Sequence, residues 1–441
     1  MLNFIDKSAQ RAIRTLEKSG YQAGLVGGCV RDMLMGIPPH DFDITTNATP
    51  EEMKFVFQKE RVIETGIKHG TLTVIIDGTP LEITTFRIDG EYKDSRHPES
   101  VTFSRNLKSD LERRDFTVNA LYYDLDEGVV DVFDGENDIK NKVIRAVGDP
   151  EKRFCEDALR ILRAIRFSSV LGFEIEEKTR QAMLKCKHLL KNISAERIAV
   201  EINKFVLGKN VKNAILQNYE ILGELCPEFI KMHGFNQHNN WHIYDVLEHT
   251  AVAVESTPPL MHLRLSMLFH DTGKVHTFFR DEKGIGHFYG HGEKSAEIVR
   301  EYLNKYKYDN ETKEKVYYLV KHHDLYTEED EVLIKKRLNR MGKERFLELV
   351  QIQRADNLAQ NPALTKMEHF DILEEMARDI SSRSCFDLKS LAINGSDLVE
   401  NGFERGAKIG EILNTLLQEV IENKLKNERN ILLSRAQSLK Q

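Results

Sequence analysis

Residues 23–46 read AGLVGGCVRDMLMGIPPHDFDITT. The apolar run Ala23–Val26 ends in a glycine pair, and the residues Val30–Leu34 have a helical pattern, so the stretch predicts a strand, a tight turn and a helix. Glycines let backbone N–H groups approach a phosphate closely, and a helix N-terminus favours anions. Gly28 and Arg31 are therefore candidate phosphate-binding residues, although a glycine pair alone is more often only a turn.

Two aspartates follow in the same stretch. Phe42 and Ile44 alternate with Asp41 and Asp43, which predicts a strand that points both carboxylates to one face. Two neighbouring carboxylates repel each other and are tolerated when they share a hard cation such as Mg²⁺. Because an isolated Asp-x-Asp is common on protein surfaces, it is the glycine turn and Arg31 upstream that favour a metal site for phosphoryl chemistry.

Strand and hairpin signals surround this stretch up to about residue 150. Thr71–Ile76 and Leu81–Phe86 are β-rich runs separated by Asp77–Pro80, a strong hairpin signal, and a second strand pair is expected at Ala120–Tyr123 and Val129–Phe133. The rest of the chain has a mostly helical pattern. The expected fold class is α+β: an N-terminal α/β head with a small mixed sheet and helices, followed by all-helical domains.

The 441 residues are too many for one core, and four domains are predicted. A head spans residues 1–150 and a helical neck spans residues 151–235. A histidine-rich helical domain spans residues 236–362, and a helical tail spans residues 363–441. Polar and glycine residues after Pro227 suggest the second of these joints.

Composition indicates the class of protein. With 41% hydrophobic and 30% charged residues, a soluble folded protein is expected, and no segment has the length of a membrane span or the pattern of a signal peptide. Five scattered cysteines without CxxC spacing argue against a disulfide framework or zinc ribbon and for a reducing cytoplasm. The net charge of −7 counts mildly against nucleic-acid binding, although a local basic face can coexist with it.

A second candidate set lies in the stretches 113–120 (RRDFTVNA) and 156–166 (EDALRILRAIR). In the latter, four charged residues follow one another at a spacing of three: Asp157, Arg160, Arg163 and Arg166. This spacing predicts that neighbours meet along one helix face. Aspartate can accept a hydrogen bond from the exocyclic amine of cytosine or adenine, and arginine can donate to ring acceptors. The alternative is a solvated helix held by Asp–Arg pairs, and the spacing leaves both interpretations open.

A third set lies in the second half of the chain, in the order His249, His270, Asp271, His291, His323 and Asp356. Histidines and aspartates on several helices can converge on one or two metal ions. The ordered set resembles that of HD-superfamily metal-dependent phosphohydrolases. Only one of His322 and His323 is expected to face a metal, and the resemblance favours the second. The nearby His238, His242 and His287 are expected to be surface or capping histidines.

Taken together, the motifs resemble those of class II tRNA nucleotidyltransferases, which include bacterial CCA-adding enzymes and bacterial poly(A) polymerases. The resemblance covers at least residues 20–210, where LVGGCVRD, DFDITT, TTFRIDGEYKDSRHPESVTF, RRDFTVNALYYD, VIRAVGDPEKRFCEDALRILRAIRF and ISAERI occur in the order seen in the family. LAINGSDLVENGFERGAKIGEILNTLL near the C-terminus is similar to the tail of members from Gram-positive-type bacteria.

The resemblance implies that CCA is added to the 3′ end of tRNA from CTP and ATP without a nucleic-acid template. Asp41 and Asp43 would hold Mg²⁺ and catalyse the transfer, and Glu82 is a weaker candidate for a third active-site carboxylate. Gly28 and Arg31 would bind the triphosphate. The neck and the tail would contact RNA.

The resemblance also implies how bases are chosen. Arg114 would contact the nucleotide, Asp157 and Arg160 would read the base edge, and Arg163 and Arg166 would support the same pocket. Residues 87–104 would form the flexible loop that family members use when they switch from CTP to ATP.

Several functions stay open at this point. Members specialised for CC addition tend to lack the loop, so its presence favours CCA addition or A addition without choosing between them. Poly(A) polymerase is another branch of the same fold. A different class is an HD phosphohydrolase with a nucleotide-sensing head, and a third is a non-catalytic RNA-binding protein. The HD domain would either bind a divalent transition metal and hydrolyse phosphoesters or serve as an RNA-binding scaffold. No membrane or obligate protein partner is expected.

Overall fold

A seven-stranded sheet lies at the centre of the first half of the chain in the computed structural model, which describes residues 2–64, 66–89 and 101–440. The strands of this half are β1 (Ala23–Val26), β2 (Asp43–Thr46), β3 (Arg61–Ile63), β4 (Thr71–Ile76), β5 (Thr79–Thr85), β6 (Arg87–Asp89), β7 (Val101–Phe103), β8 (Leu121–Asp124), β9 (Gly128–Asp131), β10 (Val143–Ile144) and β11 (Glu174–Ile175). The sheet has the order β3-β4-β5-β2-β1-β8-β9. Only β2 and β5 run parallel in it; its other neighbours are antiparallel. The predicted mixed sheet is confirmed.

The β4–β5 hairpin shows how the local sequence forms this sheet. Asp77 and Gly78 both have positive φ, 51° and 84°, which is the backbone that a tight two-residue hairpin turn requires. Leu72, Val74 and Ile76 alternate with half-buried residues along β4 and enter the core. The hairpin predicted from the sequence is therefore confirmed.

Helices cover the sheet and continue the chain beyond it. They are α1 (Lys7–Lys18), α2 (Gly28–Leu34), α3 (Pro50–Val56), α4 (Leu107–Glu112), α5 (Gly135–Asn141), α6 (Pro150–Glu156), α7 (Leu159–Leu171), α8 (Glu177–Cys186), α9 (Ala195–Val206) and α10 (Val211–Leu222). Helix α1 begins where the Asp6 side chain accepts a hydrogen bond from Ser8 N. Its buried residues Ile13 and Leu16 join the core on the sheet. This first compact unit spans Met1–Pro227.

The second compact unit, Glu228–Gln441, is almost entirely helical. Its helices are α11 (Glu228–Met232), α12 (Val246–Ser256), α13 (Met261–Phe269), α14 (Lys274–Thr277), α15 (His291–Lys305), α16 (Asn310–His322), α17 (Glu331–Met341), α18 (Lys343–Leu358), α19 (Glu368–Arg383), α20 (Gly395–Glu400), α21 (Ala407–Ile421) and α22 (Arg429–Ser438). A short hairpin joins β12 (Phe279–Arg280) to β13 (Gly286–His287). The buried helix α13 contacts α12, α15, α16 and α18. It ends at Phe269, so His270 and Asp271 lie among these neighbouring helices.

The last helices form a core of their own. Helix α21 contributes five buried residues to it: Ile412, Leu416, Leu417, Val420 and Ile421. None of the helices in the described part of the chain combines the length and the apolar character that crossing a membrane demands.

Candidate functional site

The glycine turn of the first unit lies between two guanidinium groups. Gly27 follows β1 with φ of 82°, a backbone that favours glycine, and α2 starts at the next residue. A Cβ atom added to Gly27 would lie 3.1 Å from Arg114 Nη1, and one added to Gly28 would lie 3.6 Å from Arg31 Nη2. The turn therefore brings the start of α2 close to two cations, and Gly28 is half-buried there, as a phosphate site requires.

Asp43 is the first residue of β2 and pairs in parallel register with Glu82 of β5. Asp41 lies in a bend before β2, and not on the strand that the alternation predicts. The pairing of β1 and β2 ends at Leu25 and Ile44, because β1 then turns towards α2 and leaves Asp41 without a partner strand.

The surroundings of Asp43 make its carboxyl group harder to ionise. Asp43 is exposed as a residue, yet desolvation by surrounding protein atoms raises the pKa of its carboxyl group. The charges of Asp41 and Glu82 raise this pKa further, and the charge of Arg114 lowers it in part. A bound cation would relieve this repulsion.

Polar side chains hold both arginines in place. Arg31 is buried and donates to Asn119 Oδ1 over 2.6 Å and to Asp32 Oδ1 from Nε over 2.9 Å. Arg114 donates to Oδ2 of the fully buried Asp110 over 3.1 Å. Burial alone raises the pKa of Asp110, but the charges of Arg113 and Arg114 outweigh it and hold the pKa below its usual value. Asp110 is thus an anionic anchor for the arginine beside the turn.

Asp157 and Arg160 do not share one helix face as their spacing predicts. Asp157 has an extended backbone between α6 and α7, and its side chain accepts a hydrogen bond from Leu159 N. The carboxylate competes with the helix for backbone N–H groups, which explains why α7 starts only after it. Arg197 of α9 binds this carboxylate, whereas Arg160 binds Oε2 of Glu156 over 2.8 Å.

Arg160 has further contacts that fix it. Its Nη1 donates to the carbonyl of Arg153 over 3.1 Å, and its Nη2 donates to the carbonyl of Arg113 over 2.8 Å. Sequence reasoning did not single out Glu156 or Arg197. The motif ISAERI contains Arg197 and was the signal available for it.

Phe167 connects the glycine turn with the arginines of α7. The guanidinium carbons of Arg31 and Arg163 both lie 5.4 Å from the centroid of its ring, and that of Arg166 lies 4.2 Å away. Arg163 donates from Nε to Asp115 Oδ2 over 2.7 Å. The first two candidate sets therefore lie together in one region of the first unit.

The third candidate set converges in the second unit. His249 Nε2 lies 2.8 Å from Asp356 Oδ1 and 3.4 Å from Asp271 Oδ2. His270 Nε2 lies 3.2 Å from Asp271 Oδ2. On the other side, His291 Nε2 lies 3.5 Å from Asp271 Oδ1.

His323 completes this group. Its Nε2 lies 3.0 Å from Nε2 of His291 and 3.8 Å from Asp271 Oδ1. Burial first, then the charges of His291 and His270, lower the pKa of His323 to about 4, so its ring is neutral at neutral pH. The adjacent His322 instead stacks on Tyr318 with ring centroids 4.2 Å apart.

Each of the four converging histidines is oriented through its other nitrogen. Their Nδ1 atoms lie 2.7–3.1 Å from backbone carbonyl oxygens, those of Ala359, Met267, Phe288 and Val320 for His249, His270, His291 and His323 in turn. Such a carbonyl accepts a hydrogen bond from Nδ1–H, which keeps the ring proton on Nδ1 and leaves the Nε2 lone pair free to bind a metal.

Asp271, which contacts histidines on both sides of the cluster, has the fewest regular hydrogen bonds in this group. Asp271 is buried, and within the described part of the chain its carboxylate oxygens have ion-pair contacts but no hydrogen bond of regular geometry. Lys274 Nζ forms an ion pair with its Oδ2 over 2.7 Å. The oxygens face the histidine nitrogens, and Asp271 belongs to both candidate ligand groups, so the donor set fits one or two divalent cations.

Among the nearby histidines the structure departs from the prediction at one position. His238 contacts Arg280, and His287 pairs with Asp281 over 2.9 Å, as polar surface groups do. His242, predicted to be a surface or capping residue, instead packs edge-on against His249 with ring centroids 5.0 Å apart. Burial lowers its pKa to about 3, and its buried Nδ1 has no partner in the described residues.

Comparison with known families defines the class of the protein. Residues 23–145 match the family described as Poly A polymerase head domain. Residues 172–232 match the probable RNA and SrmB-binding site of polymerase A, and residues 287–436 match the putative tRNA nucleotidyltransferase domain 2. The mixed sheet of the first unit and these three family matches together define the protein as a nucleotidyltransferase.

Similarity to whole proteins narrows this class. The chain is 37% identical over 420 residues to a CCA-adding enzyme of Lactobacillus helveticus, with 95% of this chain and 94% of the relative covered. It is 35% identical over 435 residues to one of Ligilactobacillus salivarius, with coverage of 98% and 96%. A crystal structure of the Bacillus stearothermophilus CCA-adding enzyme in complex with CTP has a TM-score of 0.74 and 28% identity, with 98% of this chain and 97% of that chain covered. The chain belongs to the family of CCA-adding enzymes and is a tRNA nucleotidyltransferase.

Proposed function

We propose that the first unit adds CCA to the 3′ end of tRNA from CTP and ATP at the edge formed by Asp41, Asp43 and Glu82. The observation that carries this proposal is the arrangement of these carboxylates in a chain of this family, with Asp43 paired to Glu82 and with desolvation and then charge repulsion raising the pKa of Asp43. Mg²⁺ ions bound there would activate the attacking oxygen and neutralise charge at the leaving group.

The residues of the glycine turn would position the triphosphate. The backbone N–H of Gly28, with Arg31 and Arg114 beside the turn, would hold its anionic oxygens, whereas the N–H of Gly27 already donates to the carbonyl of Leu121 over 3.1 Å. The 3′-hydroxyl oxygen of tRNA loses its proton to water and attacks the α-phosphorus, the bond from this phosphorus to the oxygen of the β-phosphate breaks, and pyrophosphate leaves with that electron pair. The arginines stabilise negative charge that develops during the transfer.

Base selection would depend on two side chains that the protein holds in fixed positions. Asp157 is bound by Arg197, and Arg160 is bound by Glu156 and two backbone carbonyls. A fixed acceptor beside a fixed donor can match the Watson–Crick edge of cytosine or adenine. Arg163 and Arg166 would line the same pocket near Phe167.

We also propose the four-domain arrangement and a cytoplasmic location. The head would span residues 1–150, the neck 151–235, an HD domain 236–362 and a tRNA-binding tail 363–441. The family match over residues 287–436 runs across the proposed boundary at residue 362.

A second activity is proposed for the second unit: metal-dependent hydrolysis of a phosphoester, as in HD-superfamily enzymes. Convergence of four histidine Nε2 atoms on Asp271 and Asp356 favours this over a pure scaffold role. Divalent transition metals suit imidazole ligands, and when bound they would supply a nucleophilic hydroxide. In this reaction a water oxygen bonds to phosphorus, the bond to the ester oxygen breaks, and that oxygen takes a proton. Lys274 stabilises negative charge beside Asp271.

The first activity is tested with three tRNA transcripts, ending before CCA, after CC and after the complete CCA. Each is incubated with CTP, ATP or both, and its length is measured. CCA addition extends the first transcript by three residues with both nucleotides and the second by one with ATP, and leaves the third unchanged. Extension of only the second transcript would instead identify an A-adding enzyme, and long adenosine tracts would identify a poly(A) polymerase.

The second activity is tested by incubating the chain with p-nitrophenyl phosphate and with a 2′,3′-cyclic nucleotide in the presence of Mg²⁺, Mn²⁺, Ni²⁺ or Co²⁺. We expect hydrolysis by the wild type and none by the double variant His270→Ala, Asp271→Ala, which should still extend tRNA. Absence of hydrolysis with every metal would establish the scaffold role instead.

A further inference from the structure

A second cavity adjoins the histidine cluster and has a different character. The cluster itself opens into a cavity of about 360 Å³. The neighbouring cavity has a volume of about 450 Å³, and both are lined by His323, Asp324, Asp356 and Gln360. A ligand in the neighbouring cavity would therefore reach the metal-binding side chains. We call this second space the aromatic cavity.

Exposed aromatic rings line the aromatic cavity. Trp241 is 54% exposed and Tyr326 is 68% exposed, although burial of such rings is a large stabilising contribution in proteins. Tyr326 stacks on His369 with ring centroids 5.6 Å apart and an interplanar angle of 13°. His369 is held in turn by Glu329, whose Oε1 lies 2.7 Å from its Nδ1. The protein thus supports a planar surface and leaves much of it open to solvent.

The backbone at Trp241 is also fixed. Its carbonyl accepts a hydrogen bond from Asn361 N over 2.8 Å, and Asn361 follows the end of α18 closely. Trp241 and the residues after α18 are therefore held together at the border of the cavity. A ring on a fixed backbone loses little conformational entropy when it stacks on a ligand.

A buried hydroxyl group in the cavity wall has no partner. Thr327 is 2% exposed, lines the aromatic cavity, and its Oγ1 has no hydrogen-bond partner among the residues that the structure describes. Unpaired buried hydroxyl groups are costly, so this one points to a polar ligand atom. The side chains of Asn357 and Lys366 add an amide and a cation to the same wall.

We propose that the aromatic cavity binds the base of a nucleoside phosphate whose phosphate lies at the histidine cluster. A nucleobase is planar and stacks on aromatic rings, and its edge carries the donors and acceptors that Thr327 Oγ1 and Asn357 can match. The cavity volume lies in the range of small-molecule sites. The inference rests on the proposed phosphoester site for the position of the phosphate. The ligand is either a free nucleotide or the 3′-phosphate end of an RNA.

Trp241 is the only tryptophan of the chain, so its fluorescence reports on this cavity alone. The titration uses the full-length protein with Mg²⁺ present, and each reading is taken before release of inorganic phosphate is detectable. Adding 3′-AMP should quench the fluorescence in a saturable manner, and ribose 5-phosphate, which has no base, should not. No quenching by 3′-AMP at millimolar concentration, or equal quenching by ribose 5-phosphate, overturns the proposal.

Two variants that retain the tryptophan test the geometry. Tyr326→Leu should raise the Kd for 3′-AMP about ten-fold because it removes one stacking surface. Thr327→Val, which keeps the shape of the side chain, should raise it about three-fold or more. The matched control is Phe279→Leu, since Phe279 is an exposed aromatic residue that lines neither cavity. A Tyr326→Leu variant that binds like the wild type contradicts the proposal.

Two further measurements separate the outcomes. Hydrolysis of p-nitrophenyl phosphate with Mn²⁺ tests the phosphoester site with a substrate that has no base. If this substrate is not hydrolysed but 3′-AMP quenches the fluorescence, the proposed hydrolase activity is refuted and the base-binding cavity is supported. If p-nitrophenyl phosphate is hydrolysed but 3′-AMP does not quench the fluorescence, the hydrolase activity is supported and the base-binding cavity is refuted. A trinucleotide with a 3′-phosphate that binds more tightly than 3′-AMP identifies an RNA end as the ligand, and equal Kd values identify the free nucleotide.

Discussion

Arg197 of α9 binds both carboxylate oxygens of Asp157, from Nη2 to Oδ2 over 2.7 Å and from Nη1 to Oδ1 over 3.3 Å. The two residues are 40 positions apart in the sequence. A two-point contact of this kind fixes the plane of the carboxylate as well as its position. Arg197 is thus a positioning residue for the proposed base-reading acceptor.

The first prediction concerns this contact. Arg197→Gln should leave Asp157 mobile, so kcat/KM for CTP should fall about ten-fold or more while misincorporation of UTP rises. The measurement is incorporation of each nucleotide into a tRNA transcript that lacks CCA. Lys185→Gln is a suitable control, because Lys185 is an exposed cation of the same unit that pairs with Glu151. Unchanged discrimination in Arg197→Gln would contradict a positioning role.

The second prediction concerns the carboxylate edge. Asp41→Asn or Asp43→Asn should lower nucleotide incorporation at least about 1,000-fold, because each removes charge that the proposed Mg²⁺ ions need. Binding of tRNA, measured by gel shift, should persist. Asp126→Asn serves as control, since Asp126 is an exposed carboxylate of the head that pairs with Arg14. Incorporation close to the wild-type rate in either variant is incompatible with the proposed mechanism.

The third prediction concerns metal binding in the second unit. Mn²⁺ or Ni²⁺ at 100 times its Kd should stabilise the wild type by about 2.7 kcal/mol and raise the Tm of that unit by about 5 °C. His270→Ala should remove this shift. His322→Ala should retain it, because His322 stacks on Tyr318 and does not join the cluster. If the metal raises the Tm of the wild type and of His270→Ala equally, the metal binds outside the histidine cluster.

The fourth prediction concerns acid stability and Asp115. Burial alone raises the pKa of Asp115, but the charges of Arg163 and Arg160 outweigh it and bring the pKa to about 2. A carboxyl group whose pKa is lowered on folding stabilises the protein above its unfolded pKa and loses this contribution as pH falls towards the folded pKa. The contribution is about 2 kcal/mol near neutral pH and disappears between about pH 4 and pH 2.

Asp115→Asn should therefore have a lower Tm than the wild type at pH 6, and the two values should approach each other below pH 4. The measurement is thermal unfolding followed by circular dichroism at both pH values. A Tm difference that is the same at pH 6 and pH 3 would show that the ionisation of Asp115 does not stabilise the fold.

The sequence predicts those features that depend only on residues close to one another along the chain. The turn at Asp77 and Gly78 and the strand Ala23–Val26 follow from local spacing, and the structure has both. The start of β2 at Asp43 could not be predicted this way, because it depends on where β1 leaves the sheet.

Pairs between distant residues explain most of what the sequence left open. The spacing of Asp157 and Arg160 suggests that they pair with each other, whereas Asp157 pairs with Arg197, 40 positions away, and Arg160 pairs with Glu156, four positions before it. The interior position of His242 depends on packing against His249 and has no local signal. Glu82 is adjacent to Asp43 only because β2 and β5 run parallel. The predicted loop at 87–104 lies largely outside the described residues.

The four carbonyl groups that face the histidine Nδ1 atoms have a consequence for mutational robustness. They belong to the main chain at Met267, Phe288, Val320 and Ala359, so changing those side chains leaves the oxygen atoms in place. A side-chain carboxylate in the same role could be lost through one codon change. Random mutagenesis around the cluster should therefore disable it mainly through the histidines and aspartates themselves, which makes this unit a tolerant scaffold for laboratory evolution.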